Sequence, residues 1–301
     1  MNKPSHKRTR FVGRLFTLVG VLLILLIVGL PTWFASTHLY WGEALTPGAY
    51  DYPANAASGC PSGPRDGNAG VFRDQRTEQG FRYTVKTPTN YDPNQAHPLV
   101  VVYAPSGLSA SLSERMVGLT REATRAGFII AWAGSGRMSI SAVQEFSTIP
   151  KQISEKWCID MRRVYLTGHS DGGTIASAIA FMEETRHIPA AIAPSAAGIR
   201  SGDLKAYSCP DPLSVMVMHN EKDRLFPSFG ESAARWWANC SGCQQEPIPS
   251  DVDGCVVFPD CRNDVQTWFC QSPGGHMKWP DRNREIIRFF SAAERDLSSS
   301  N

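Results

Sequence analysis

One serine of this chain lies between two glycines where a strand-like segment meets a helix-like one. The run 163–167 leads directly into GHSDG at 168–172, and small residues typical of a closely packed helix follow. Glycines at both ends of this pentapeptide would permit a turn tight enough to push the Ser170 hydroxyl out over the carboxyl end of a sheet. The same turn would place the backbone N–H of Asp171 at a helix N-terminus, where negative charge is stabilised. The segment therefore predicts a nucleophilic serine.

Strand-like and helix-like segments alternate along residues 75–301. Several strand-like segments are apolar on both faces, as parallel strands covered on both sides are. The alternation predicts an α/β domain with a mostly parallel central sheet and helices on both faces. The expected strands are 81–87, 99–104, 128–133, 164–167, 190–193, 213–218 and 265–269, and the expected helices are 112–126, 172–184, 229–239 and 283–297.

A serine hydroxyl is a weak nucleophile until a base accepts its proton, so a histidine and a carboxylate should follow it along the chain. Of the seven histidines, His276 follows the last expected strand in a glycine-containing loop, and we expect it to be the base. His169, beside the serine, should point elsewhere. Asp223 follows the strand 213–218, where it could orient the imidazole. Glu221, two residues earlier, is the alternative carboxylate.

Attack on a carbonyl also requires two backbone N–H groups that hold the resulting oxyanion. We expect Asp171 to supply the first. The second should come from the loop usually found after the third strand, here the loop after the strand 99–104, where Pro105 has no N–H and Ser106, Gly107 and Leu108 remain. Gly107 is the preferred donor, because glycine suits a backbone that a substrate approaches closely. This chemistry requires neither a metal ion nor an organic cofactor.

A long uncharged segment lies near the start of the chain. Residues 15–35 contain no charged side chain, and a helix needs ~20 apolar residues to cross a bilayer. Five cations in the basic leader 1–14 precede it, so the positive-inside rule would place the later residues outside the cytoplasm. We expect an uncleaved transmembrane anchor at 15–35, a linker or collar at 36–74 and a catalytic domain at 75–301. A cleaved signal peptide is the alternative.

The cysteines agree with a periplasmic or extracellular location. Eight is an even number and is high for an enzyme that lives among reduced thiols. Cys240 and Cys243 have the spacing of half a zinc site, but the later cysteines do not form a second such pair. We therefore expect disulfides and no metal.

The charge distribution argues against nucleic acid as a partner. The formal net charge is +2, and the five cations of the leader more than account for it. The rest of the chain is slightly acidic overall and offers no basic surface for a phosphate backbone.

Three segments together resemble a known group of enzymes. They are WCID at 157–160 leading to VYLTGHSDGG at 164–173, MHNEKD at 218–223 with Pro227, and GGH at 274–276 with Trp279-Pro280. In these motifs the chain resembles, over roughly residues 75–295, the secreted α/β-hydrolase esterases related to polyhydroxybutyrate depolymerases, feruloyl esterases and acetylxylan esterases. The resemblance implies the α/β-hydrolase fold and a serine esterase that acts on small-molecule or polymer esters through an acyl-enzyme. It also implies a triad of Ser170, Asp223 and His276.

The same resemblance implies particular disulfides. Cys158 would pair with Cys209, and Cys240 would pair with Cys261 or Cys270, which would brace the loop carrying His276.

The chain departs from the group at two places. The His-Gly pair usual after the third strand is replaced by YAPSG at 103–107, and two residues instead of one separate His276 from Trp279. Two other functions fit the same segments: a catalytically silent binding module of this fold, and a serine peptidase.

Overall fold

The computed structural model of the protein describes residues 42–49, 59–60, 63 and 65–295. The expected leader and the expected membrane segment 15–35 lie outside the described residues. Within the described part, no helix combines the length and the apolar character needed to cross a membrane. The chain divides into two units, Met1–Gly42 and Glu43–Asn301. The fold described below is that of the second unit.

Ten strands form a single sheet. They are β1 (Val71–Arg76), β2 (Arg82–Lys86), β3 (His97–Tyr103), β4 (Ile129–Ala133), β5 (Ile159–His169), β6 (Ala191–Ser195), β7 (Ser214–Asn220), β8 (Ile248–Pro249), β9 (Cys255–Phe258) and β10 (Thr267–Ser272). Their order across the sheet is β1-β2-β4-β3-β5-β6-β7-β10-β9-β8. The six central strands, β4, β3, β5, β6, β7 and β10, are mutually parallel. An antiparallel pair is added at each side of them, β1 with β2 and β8 with β9.

Eight α-helices in the described residues connect the strands. They are α1 (Ala110–Val117), α2 (Thr120–Arg125), α3 (Ile140–Ser147), α4 (Ile149–Lys156), α5 (Asp171–Phe181), α6 (Ser201–Leu204), α7 (Phe229–Cys240) and α8 (Asn283–Ser291). A short 3₁₀ turn, Arg262–Asp264, precedes β10.

The helices cover both faces of the sheet. Along β3, Leu99 and Val101 point into a core shared with α3, α4, α5 and α7, whereas Val100 and Val102 point into a second core shared with α1, α2 and α8. Alternate side chains of a strand point to opposite faces, so a fully buried strand requires a cover on each side. The predicted α/β domain with a mostly parallel sheet and two helical layers is confirmed.

The predicted single helix 112–126 is wrong, because the segment forms two helices. α1 ends at Gly118, which adopts the left-handed conformation (φ 66°) and donates its N–H to the carbonyl of Glu114. This C-terminal arrangement stops the helix, and α2 begins two residues later. The segments that form α3 and α4 were not expected to be helical; each is eight residues long and Pro150 lies in the first turn of α4.

All eight cysteines form disulfides, as predicted, but the predicted pairings are wrong. The bonds join Cys60 to Cys158, Cys209 to Cys240, Cys243 to Cys261 and Cys255 to Cys270.

Long-range packing explains the difference in pairing. The N–H of Cys60 donates to the carbonyl of Asn94, three residues before β3. Cys158 lies directly before β5, and its carbonyl accepts from the N–H of His97, the first residue of β3. The two cysteines therefore meet where β3 and β5 begin. Cys240 ends α7, which packs on α6, and Cys209 follows α6. Cys255 and Cys270 face each other across the β9–β10 ladder. This last bond lies close to the end of β10 and therefore braces the loop of His276.

A buried ion pair connects strand β2 with helix α1. Lys86 Nζ lies 2.5 Å from Glu114 Oε1, and both side chains are almost completely buried. The same carboxylate oxygen accepts hydrogen bonds from the Thr120 hydroxyl (2.8 Å) and from the backbone N–H of Glu43 (3.0 Å). Glu43 in turn accepts hydrogen bonds from the N-terminus of α2 at Thr120 (2.7 Å). The first residue of this unit is thus fixed to helices α1 and α2.

We predict that Lys86→Met destabilises the protein by about 3–5 kcal/mol, because it leaves the Glu114 carboxylate buried without its cation. Arg125→Met is the matched control: it breaks an ion pair with Glu122 in which the arginine is half exposed, and it should cost less than about 1 kcal/mol. Urea unfolding followed by tryptophan fluorescence measures both. Equal losses for the two variants would contradict the prediction.

Candidate active site

Ser170 lies in a strained turn between β5 and α5. Its backbone has φ 54° and ψ −120°, a region that side chains with a Cβ rarely occupy. The neighbouring backbones approach so closely that a Cβ on Gly172 would lie 2.0 Å from the carbonyl oxygen of Tyr103, and one on Gly168 would lie 2.6 Å from the same atom. Only glycine fits at either position, and the turn leaves Ser170 half-buried, with its hydroxyl within reach of a histidine.

The structure brings the three predicted side chains together. His276 Nε2 lies 2.9 Å from Ser170 Oγ, and His276 Nδ1 lies 2.8 Å from Asp223 Oδ2. Because a carboxylate only accepts, Nδ1 carries the proton and Nε2 is free to accept the serine proton. The residues follow β5, β7 and β10, whose carboxyl ends share one edge of the sheet.

Asp223 is the carboxylate at the imidazole, and the alternative Glu221 is exposed to solvent. Asp223 Oδ1 accepts the backbone N–H groups of Leu225 (2.9 Å) and Phe226 (3.0 Å). Burial would raise the pKa of Asp223, but these hydrogen bonds and the one from His276 outweigh it and lower the pKa. The carboxylate is therefore charged at neutral pH and can stabilise an imidazolium.

The two predicted oxyanion donors lie in different surroundings. Asp171 is the first residue of α5, where the N–H groups point out of the helix. Gly107 has φ 75°, and the space around its Cα is open. Leu108 is a poorer candidate, because its N–H already donates to the carbonyl of Pro105. The role of Gly107 as the second oxyanion donor stays a prediction.

Two buried side chains, for which the sequence predicted no role in the site, hold the loop of His276. His169 Nε2 lies 2.6 Å from the carbonyl oxygen of His276, and Asn220 Nδ2 lies 2.9 Å from the carbonyl oxygen of Gly275 and 2.6 Å from that of Lys278. Each of the two residues ends its strand, with His169 directly before Ser170 and Asn220 three residues before Asp223, and this position was the available signal. His169 points away from Ser170, as predicted, but towards the base.

Buried histidines surround the site. Burial lowers the pKa of His169 to about 4. Burial also lowers the pKa of His219, which lies 3.7 Å from Asp223 Oδ2 without a well-formed hydrogen bond. Both rings are therefore neutral at neutral pH, and the charge of Asp223 is available to stabilise an imidazolium at His276.

A cavity of about 450 Å³ opens beside the loop of Gly107. Its other walls are the β1–β2 hairpin and residues 134–135. Phe81 lines it and stacks on Phe146, with 4.5 Å between ring centroids. Within the described part of the chain, no three His, Cys, Asp or Glu side chains form a group that could hold a metal ion.

No protein-family model matches the chain, but curated proteins do. The probable feruloyl esterase C of Aspergillus clavatus is 26% identical over 257 residues, which cover 79% of this chain and 88% of that protein. Feruloyl esterase B of Piromyces equi is 23% identical over 223 residues, which cover 64% of this chain and 41% of that protein. This chain thus spans less than half the length of the second relative.

Solved structures of esterases share the fold. A truncated carbohydrate esterase from gut microbiota superposes with a TM-score of 0.53 at 10% identity, over 75% of this chain and 97% of that one. S-formylglutathione hydrolase from Staphylococcus aureus gives a TM-score of 0.52 at 12% identity, over 73% and 97% of the two chains. The predicted resemblance is confirmed: the chain is similar in sequence and in fold to carboxylic ester hydrolases of the α/β-hydrolase group.

We predict that the free energy of unfolding decreases as the pH falls from 6.5 towards 4. The pKa of the His169 imidazole is 6.5 in the unfolded chain and about 4 in the folded protein. In this interval the imidazole therefore binds a proton in the unfolded chain but not in the folded protein. Protonation therefore favours the unfolded state. His97 and His219, whose pKa values burial also lowers, contribute in the same direction. Urea titrations across this pH range measure the slope.

His169→Phe should flatten part of that slope, because the variant no longer takes up this proton on unfolding. An identical pH dependence in the wild type and the variant would contradict the assignment.

Proposed function

We propose that the protein is a serine esterase that hydrolyses carboxylic esters through Ser170, His276 and Asp223. The observation that carries the proposal is the continuous hydrogen-bonded line from the Ser170 hydroxyl through both nitrogens of His276 to a charged, buried Asp223. Such a line lets the imidazole accept the serine proton and stabilises the imidazolium that results. Similarity to feruloyl esterases supports the same chemistry.

The reaction proceeds in two halves. His276 accepts the proton of the Ser170 hydroxyl while Ser170 Oγ attacks the ester carbonyl. The negative charge of the resulting tetrahedral intermediate lies beside the N-terminus of α5. His276 then returns the proton to the leaving alcohol, and an acyl-enzyme remains. Water then attacks this acyl group while His276 accepts a proton from it, and His276 returns the proton to Ser170 Oγ as the bond to the acyl group breaks and the acid is released. The N–H of Asp171 and that of Gly107 are the proposed oxyanion donors.

Feruloyl esters are the substrates that we propose first. The curated relatives are feruloyl esterases. The cavity beside Gly107 borders the proposed oxyanion loop, but Ser170, Asp223 and His276 do not line it. Acetyl and hydroxybutyryl esters are the comparison substrates, because the motifs also resemble esterases of those classes.

The domain is proposed to work outside the cytoplasm. All eight cysteines are paired in disulfides, and such bonds persist in oxidising compartments. The uncharged run 15–35 would direct the chain there, either as a membrane anchor or as a cleaved signal peptide.

We predict that Ser170→Ala and His276→Ala each lower kcat for a chromogenic feruloyl ester by on the order of 10⁶, and that Asp223→Asn lowers it by about 10⁴. Glu221→Gln is the matched control, because this exposed carboxylate lies two residues from Asp223 and outside the hydrogen-bonded line. It should retain the wild-type rate.

The comparison needs the full chain with its disulfides intact, assayed with feruloyl, acetyl and hydroxybutyryl esters. A wild-type protein inactive on all three would favour a binding module of the same fold. Activity that survives Ser170→Ala would assign the chemistry to other residues.

A further inference from the structure

The base of the proposed site lies on an exposed loop. His276 follows β10, and its chain neighbours Gly275 and Met277 are both exposed, Met277 to 78%. The imidazole must nevertheless point at Ser170 with one nitrogen and at Asp223 with the other. A loop of this kind requires contacts that fix its backbone, because a misplacement of 1 Å can lower a rate by ~10².

His169 supplies such a contact at the base itself. Its Nε2 lies 2.6 Å from the carbonyl oxygen of His276, and a carbonyl only accepts, so Nε2 carries the hydrogen. In the neutral ring Nδ1 is then an acceptor, and the Ser195 hydroxyl lies 3.0 Å from it. The imidazole of His169 is therefore held in one tautomer between β6 and the loop.

Packing restricts the same ring from its sides. His169 is 1% exposed, and its ring centroid lies 5.5 Å from that of His276 and 6.0 Å from that of Trp279. Because burial lowers its pKa to about 4, the ring is neutral at neutral pH. Neither nitrogen of His169 contacts Ser170, so it takes no part in the proton transfer itself.

We propose that His169 is a positioning residue, which fixes the backbone of His276 and thereby sets the distance from its Nε2 to Ser170 Oγ. The proposal rests on the proposed esterase function. A positioning role of this kind should affect kcat more than KM, since it improves the geometry of proton transfer without contacting the substrate.

The test compares three variants of the full, disulfide-bonded chain. His169→Phe keeps a buried aromatic ring but removes the donor, and His169→Gln keeps a side-chain N–H of similar reach. His97→Phe is the matched control: His97 is also buried and its ring nitrogens also contact backbone carbonyls, but it begins β3 at the opposite edge of the sheet.

We expect His169→Phe to lower kcat for the feruloyl ester by roughly 10- to 100-fold with little change in KM. His169→Gln should recover part of this loss, and His97→Phe should keep the wild-type kcat. A folded His169→Phe with wild-type kcat overturns the proposal. An equal loss in all three variants overturns it too, because general destabilisation would then explain the effect.

Two further measurements keep the result unambiguous. Ser170→Ala distinguishes the two proposals: if it is inactive while folded His169→Phe is fully active, only the positioning role is wrong, and if Ser170→Ala is active, both fail. If neither His169 variant folds, nitrogen NMR of histidine-labelled wild type at neutral pH decides. A neutral His169 protonated on Nε2 supports the proposal, and protonation on Nδ1 overturns it.

Discussion

The close approach between helix α5 and strands β3 and β5 is the constraint on which the site depends. With the carbonyl oxygen of Tyr103 only 2.0 Å from where a Cβ of Gly172 would lie, the helix begins directly against the sheet. The chain reaches this position through the turn at Ser170, whose φ is positive. The fully buried strands on either side hold that strained turn in place. Fold and site are therefore determined by the same backbone contact.

The parallel sheet then determines what can meet the serine. Since β5, β7 and β10 end at the same edge, the loops that follow them converge there. The loop of His276, which follows β10, is fixed by the Cys255–Cys270 bond and by hydrogen bonds from Asn220 and His169. Burial keeps the neighbouring histidines neutral, whereas backbone N–H groups keep Asp223 charged. The electrostatic asymmetry of the site thus follows from its packing.

The sequence was sufficient for features that depend on local pattern. Apolar runs located the six parallel strands, and the glycine-framed serine with its later Asp223 and His276 located the three side chains that the structure brings together. Features that depend on distant segments were missed or wrong. The partner of Cys158 proved to be Cys60, which precedes the sheet. A local signal was also misread, because Gly118 ends α1 in a left-handed conformation and so interrupts the predicted helix 112–126. A hydrogen bond such as that of His169 joins residues 107 apart in sequence and leaves no periodic signal.

The central claim is that Ser170 is a nucleophile activated by His276, and covalent trapping tests it most directly. The full chain would be treated with a fluorophosphonate, which phosphonylates activated serines, and the adduct located by peptide mass spectrometry. The account predicts one adduct, on Ser170, and its loss when His276 is replaced by alanine. An unmodified Ser170, an adduct on another serine, or labelling that does not depend on His276 would contradict it.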